Sequence, residues 1–160
     1  MRRAACPGSY DPPTRGHLDV IRRTAAIFDE VHVLVGSNPA KSALFSPEER
    51  VSLLAEALSD VPGVRTSIFS GLIVDYCRDH EIGTVVKGIR GPIDLDYESQ
   101  MAQLNRAMTG LETLFLPAAP EWAAVSSSLV RDIARMGGGF DQFVTPEIAA
   151  RTRERLAAGS

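Results

Sequence analysis

The stretch Cys6-Pro7-Gly8-Ser9-Tyr10-Asp11-Pro12-Pro13-Thr14-Arg15-Gly16-His17 joins an apolar segment to an amphipathic one. Gly8 lets the backbone turn without a Cβ penalty, and Pro12-Pro13 stiffen the loop. Gly16 allows close approach of a ligand, and His17 stands in the first turn of the following helix. Free backbone N–H groups and the positive end of the helix dipole collect at such a corner, which suits phosphate. Thr14 and His17, three residues apart, are placed to face one ligand. The plainer alternative is a tight strand-to-helix turn that a histidine caps.

Outward from this corner the chain alternates. Ala4–Cys6, after Arg2-Arg3, reads as a short first strand, and about Gly16–Phe28 as a helix with Leu18, Ile21, Ala25 and Phe28 on one face. Glu30–Gly36 is an apolar, β-branched run, the mark of a strand covered on both sides. His32 inside it reads as structural. Ser37–Phe45 is a loop with Lys41. Ser46-Pro47-Glu48-Glu49 then starts a helix: Ser46 caps, Pro47 takes the first position, and Glu49 completes a capping box. Val51, Leu54 and Leu58 form its buried stripe.

After the turn at Pro62-Gly63 come a third strand, Val64–Phe69, and a helix beyond Gly71 that runs to His80. Thr84–Lys87 is a fourth strand ending in Gly88-Ile89-Arg90-Gly91-Pro92. A long helix, about Asp94–Met108, places Tyr97, Met101, Leu104 and Met108 on one face. Glu112–Leu116 is a fifth strand and Pro117–Val125 a loop. Ser126-Ser127-Ser128 opens another helix, which Gly137-Gly138-Gly139 stops, and a polar terminal helix covers about 146–157. The alternation predicts an α/β fold: a Rossmann-like, doubly wound, five-stranded parallel sheet with helices on both faces, in a single domain over 1–160. Ligands of such sheets sit at the carboxyl ends of the strands.

Composition narrows the function. The 160 residues carry 17 Lys and Arg against 20 Asp and Glu, a net charge of −3. A generalised nucleic-acid or membrane surface is therefore not expected, and any anion site must be a local basic cluster. No apolar run approaches membrane-spanning length, and the basic N-terminus meets Pro7-Gly8 too soon for a signal peptide. The two cysteines, Cys6 and Cys77, make no disulfide framework, which points to a reducing cytoplasm. No His/Cys cluster has zinc-ligand spacing.

The polar residues after the strand ends converge. They are Ser9, Tyr10, Thr14 and His17 after the first, Lys41 after the second, Lys87, Gly88 and Arg90 at the fourth, and Trp122 with the serine run after the fifth. Singly, Lys41 reads as a solvated lysine, Arg90 as a loop arginine and Ser126–Ser128 as a helix cap. Lys87, at the end of a buried apolar strand, needs a reason to be there. Together they describe one polyanion site. Neither Gly-x-Gly-x-x-Gly nor Gly-x4-Gly-Lys-Ser/Thr is present. Cations and donors with few carboxylates suit phosphoryl or nucleotidyl transfer, which needs positioning and charge stabilisation more than a base.

Thr14-x-Gly16-His17 resembles the T/H-x-G-H motif of the nucleotidyltransferase superfamily. Added to it are Ser37-Asn38-Pro39-Ala40-Lys41, Phe45-Ser46-Pro47-Glu48-Glu49-Arg50, Lys87-Gly88-Ile89-Arg90, Asp94-Leu95-Asp96-Tyr97-Glu98 and Val125-Ser126-Ser127-Ser128, in that order. The set resembles the bacterial phosphopantetheine adenylyltransferases over roughly residues 4–136. The resemblance implies ATP and 4′-phosphopantetheine as substrates, dephospho-coenzyme A and pyrophosphate as products, and Mg²⁺ carried on the ATP phosphates without protein ligands. It implies catalytic roles for His17, Thr14, Lys41 and Arg90, with His17 as transition-state stabiliser. The nucleotide would meet Ser9, Tyr10, His17, Gly88, Ile89, Arg90, Glu98 and the segment Trp122, Ala123, Ala124, Val125, Ser126, Ser127 and Ser128. Phosphopantetheine would meet Ser9, Lys41, Leu72 and Lys87. A homohexamer and feedback inhibition by coenzyme A are implied as well. The chain departs from the family pattern at Lys87, where many members have Arg, at Tyr10 in place of Phe, and at Trp122-Ala123-Ala124, which lacks the usual Ser and aromatic residue. The nearest alternative is another small-molecule nucleotidyltransferase, of the nicotinamide mononucleotide or cytidylyltransferase type.

Overall fold

The computed structural model describes residues 1–37 and 43–158. Its elements run β1 (Arg3–Gly8), α1 (Arg15–Ala25), β2 (Glu30–Gly36), α2 (Pro47–Ala57), β3 (Val64–Phe69), α3 (Ile73–Asp79), β4 (Thr84–Ile89), α4 (Pro92–Thr109), β5 (Glu112–Pro117), α5 (Ser127–Arg135) and α6 (Pro146–Ala158). The five strands form one parallel sheet in the order β3-β2-β1-β4-β5. The winding therefore reverses between β1 and β4.

Strand alternation sorts the core. Ala4, Cys6, Val31, Val33 and Val35 face α1 and α2 through Leu18, Ile21, Leu54 and Leu58. Ala5, Leu34 and Val85 face the other way, against Val74 and Cys77 of α3. A third cluster, including Phe45, Val125, Val130, Phe140 and Ile148, fastens α5 and α6 to the start of α2. His32 is buried, with its ring nitrogens 2.7 Å from Glu30 Oε1 and 3.1 Å from the Tyr76 hydroxyl, so both are used within the fold.

Three boundaries move. β1 continues through Pro7 and Gly8, because its ladder with β2 extends to Gly8↔Val35. α1 stops at Ala25, where Ile27 N–H and Phe28 N–H both turn back to Thr24 O. β4 runs on to Ile89, pairing with β5 as far as Pro117, so Lys87 and Gly88 lie within the strand. The expected apolar face of α4 is present but uncovered: Tyr97, Leu104 and Met108 are each more than half exposed. Among the described residues no helix is long and apolar enough to cross a membrane.

The β1–β4 ladder covers only Ala4–Ala5 against Thr84–Val85, whereas each strand pairs along its whole length with its other neighbour. Beyond Ala5 and Val85 the two central strands lose their mutual pairing, and a crevice opens between their carboxyl ends.

Gly63 holds the α2–β3 turn at φ +78°, and a Cβ there would meet Asp29 O at 2.5 Å. Gly63→Ala should lower unfolding free energy by about 2 kcal/mol or more in urea titration, from left-handed strain and overpacking. An unchanged midpoint would refute this reading of the turn.

Candidate active site

Thr14 is the N-cap of α1 and His17 its third helical residue. Each side chain caps the other's backbone: His17 N–H donates to Thr14 Oγ1 at 3.3 Å, and Thr14 N–H donates to His17 Nδ1 at 3.0 Å. Imidazole thus replaces the Glu or Gln of an ordinary capping box. The second bond has a chemical consequence. A nitrogen that accepts a backbone N–H carries no proton, so Nε2 carries it and is the donor. Burial, and secondarily the charge of Arg90, lower the His17 pKa from 6.5 to about 4. The ring is neutral at pH 7, with a fixed N–H for an incoming oxygen.

The crevice is a cavity of about 490 Å³ between the ends of β1 and β4. Its walls include Ser9, Tyr10, Thr14 and His17 from the opening loop, and Lys87, Gly88, Arg90 and Glu98 from β4 and α4. Trp122 and Val125–Ser128 close it from the C-terminal side. Ser9 and His17 thus face one cavity. Tyr10 uses its hydroxyl on Cys6 O at 2.8 Å, and its ring meets that of His17 edge-on at 5.0 Å. Its hydroxyl is therefore not turned to a ligand. Lys87 Nζ crosses the gap between the strands to Pro7 O at 3.4 Å and pairs with Glu98 Oε1 at 3.2 Å.

The three serines are differently engaged. Ser126 Oγ caps α5 by accepting Leu129 N–H. Ser127 donates its hydroxyl to Pro12 O at 2.7 Å, tying α5 to the opening loop. Ser128 Oγ accepts from Arg131 at 3.3 Å, which leaves its own hydrogen available. The N–H groups of Ser127 and Ser128, at the first two positions of α5, have no intrahelical acceptor. These are groups suited to phosphate.

Four expected residues do not line the cavity. Ile89 pairs with Pro117 in the sheet, and Ala123 and Ala124 lie behind Trp122 in sequence without reaching the wall. Leu72 caps α3 and is mostly exposed. Lys41 lies outside the described residues. In their place stand groups that sequence reasoning missed. Arg50, buried on α2, donates to Ser9 O at 2.6 Å, Gly36 O at 3.3 Å and Phe45 O at 3.1 Å. Its spacing four before Leu54, on the buried stripe, was the available signal. Arg131 donates to Asp11 O, and the Asp11 carboxylate accepts N–H from Leu44 at 2.8 Å and Phe45 at 2.9 Å. Asp94 grips Arg90 through two nitrogens. All three cavity carboxylates, Asp11, Asp94 and Glu98, are thus engaged by the protein's own donors. Among the described residues no group of three or more His, Cys, Asp or Glu is arranged to hold a metal.

A donor histidine, cations and helix-start N–H groups meet at the switch point of a parallel sheet, an arrangement suited to the phosphates of a nucleotide. The chain belongs to the cytidylyltransferase-like family, whose model matches residues 5–133. Within it, the chain is a nucleotidyltransferase of the phosphopantetheine adenylyltransferase family. It is 52% identical to the phosphopantetheine adenylyltransferase of Nocardioides sp. over 99% of this chain and 100% of that one. The Streptomyces coelicolor enzyme of the same name is 47% identical over 98% of each chain. A solved Vibrio parahaemolyticus protein, assigned as a nicotinate-nucleotide adenylyltransferase, superposes with a TM-score of 0.71 over 100% of this chain and 98% of its own. At 17% identity that likeness shows the fold alone.

His17 carries a pH test. Its folded pKa, about 4, lies below the ordinary 6.5, so the unfolded chain takes up the proton first as pH falls. The His17 contribution to stability is present above pH 6.5 and is lost as pH falls to about 4. The thermal midpoint of the wild type should fall more steeply across that window than that of His17→Gln, which keeps a capping side chain. Equal slopes would contradict the assignment.

Proposed function

We propose that this chain transfers the adenylyl group of ATP to 4′-phosphopantetheine, releasing pyrophosphate and dephospho-coenzyme A, the penultimate step of coenzyme A synthesis. The observation that carries it is the fixed Nε2–H of His17 in the same cavity as Ser9, Lys87, Arg90 and the start of α5. The 47–52% identity to adenylyltransferases of that name supports this acceptor over nicotinamide mononucleotide or a phosphoalcohol.

The acceptor phosphate oxygen forms the new bond to the α-phosphorus of ATP in line, while the bond to the bridging oxygen of pyrophosphate breaks. The nucleophile is already an anion, so no protein base is required. His17 Nε2–H and Thr14 serve the α-phosphoryl group, where negative charge grows. Ser9 and Lys41 hold the attacking phosphate, with Lys87 beside them. Arg90 and the N–H groups of Ser127 and Ser128 hold the β- and γ-phosphates. Gly88, Glu98, Trp122 and Val125 line the nucleotide, and Leu72, exposed outside the cavity at the start of α3, would meet the pantetheine arm only where that arm extends beyond the cavity. Mg²⁺, carried on the ATP phosphates, supplies charge neutralisation there; the engaged cavity carboxylates fit a metal held by the nucleotide.

A homohexamer working in the cytoplasm, inhibited by coenzyme A through the shared pantetheine arm, completes the reading. The uncovered apolar residues of α4 support assembly, since Ile93, Tyr97, Leu104 and Met108 are 57–87% exposed.

Pyrophosphate release from ATP and Mg²⁺ should require 4′-phosphopantetheine and not proceed with nicotinamide mononucleotide. His17→Ala should keep the fold and ATP binding but lose kcat by about 10²–10³. Near-normal turnover would remove His17 from the mechanism. Light scattering should give six times the 17.3 kDa chain mass, and a monomer would sink the assembly claim.

A further inference from the structure

Asp94 has no role in the scheme above, yet it lines the cavity and is bound to its most exposed cation. Its Oδ2 accepts from Arg90 Nε at 2.9 Å and from the Arg90 backbone N–H at 3.2 Å. Its Oδ1 accepts from Arg90 Nη2 at 3.2 Å. Arg90 Nη1 donates to Val125 O at 3.3 Å. A guanidinium has five N–H donors. These bonds use three, one on each nitrogen, and leave one hydrogen on each terminal nitrogen for a ligand.

We propose that Asp94 is a positioning residue that acts through Arg90, holding the guanidinium plane so that its two remaining N–H groups meet the nucleotide phosphates. The contrast with Lys87 supports this. Glu98 stands one turn on from Asp94 along α4, but it meets a single rotatable ammonium through one bond of 3.2 Å. A point charge needs no orientation, whereas a planar fork does. The long Arg side chain also loses rotamer freedom on being fixed. Asp94 fixes it before the nucleotide arrives. Asp94 sits at the third position of α4, where a carboxylate is favoured by the helix dipole, so its place is stable in the empty site.

The inference rests on the nucleotide reading of the cavity, and the test separates it from the choice of acceptor. The single tryptophan, Trp122, lines the cavity, so its fluorescence reports ATP with Mg²⁺ binding without any acceptor. Four proteins form a double-mutant cycle: wild type, Asp94→Asn, Arg90→Ala and the double variant. Asp94→Asn should weaken ATP binding by roughly 10- to 100-fold, the cost of a misplaced group. In the Arg90→Ala background the same change should cost less than about twofold, since additivity fails only for coupled residues. Asp94→Glu, which keeps the charge but shifts the carboxylate, should not restore wild-type affinity. A merely structural cap predicts equal losses of urea stability and of affinity in both backgrounds. That result, wild-type affinity in Asp94→Asn, or no titration of the wild type by ATP would overturn the inference. Absence of pyrophosphate release with 4′-phosphopantetheine would instead overturn the acceptor assignment, leaving the binding cycle to decide on Asp94.

Discussion

The reciprocal cap between Thr14 and His17 is the constraint on which the rest of the site depends. One pair of bonds starts α1, satisfies N–H groups that the first turn would otherwise leave open, and selects the protonated nitrogen of the imidazole. Helix formation and orientation of the imidazole donor are therefore a single event. Without the Nδ1 bond, the ring is free to turn and to hold its proton on either nitrogen. With it, the ring leans on Tyr10, and Nε2–H keeps one direction.

Around that donor the protein solves an electrostatic problem. An acidic chain must keep several cations in one crevice without a ligand to neutralise them. It does so in two ways. Lys87 and Arg90 are balanced by carboxylates of α4. Arg50 and Arg131 lean on backbone carbonyls of Ser9, Gly36, Phe45 and Asp11. The carbonyl bonds also fasten the opening loop from below, because Arg50 and the Asp11 carboxylate clamp residues 9–11 to residues 44–46. Charge storage and loop rigidity come from the same contacts. Truncation of either residue leaves buried polar groups unpaired, each such loss costing about 1–3 kcal/mol.

The crevice itself follows from the sheet. β1 and β4 are the strands between which the winding reverses, and their shared ladder ends after Ala5 and Val85. Past that point backbone no longer fills the gap, so Lys87 can reach Pro7 O across it and the two loops part. The third hydrophobic cluster then brings the start of α5 over the opening, with Ser127 bonded to Pro12 O. Fold topology makes the space, and the C-terminal helices supply its far wall.

The sequence by itself determined the order of elements, the parallel sheet and the phosphate-suited corner at Thr14–His17. These are set by apolar periodicity, turn residues and contacts three residues apart, all local along the chain. The capping boxes at Thr14 and Ser46 are of this kind, although the part played by the imidazole in the first was legible only as a placement. Tertiary structure alone decided which charged side chains are buried and what they bind. Arg50 reaches Ser9 across 41 residues and Arg131 reaches Asp11 across 120; spacing from Leu54 puts Arg50 on a buried stripe, but no local pattern says what either arginine binds. The same holds in reverse for Ile89, Ala123 and Ala124, which share motifs with cavity residues but are turned from the wall by strand pairing and turn geometry. Burial of a charge is decided by what packs over it, and packing is fixed only when distant segments meet.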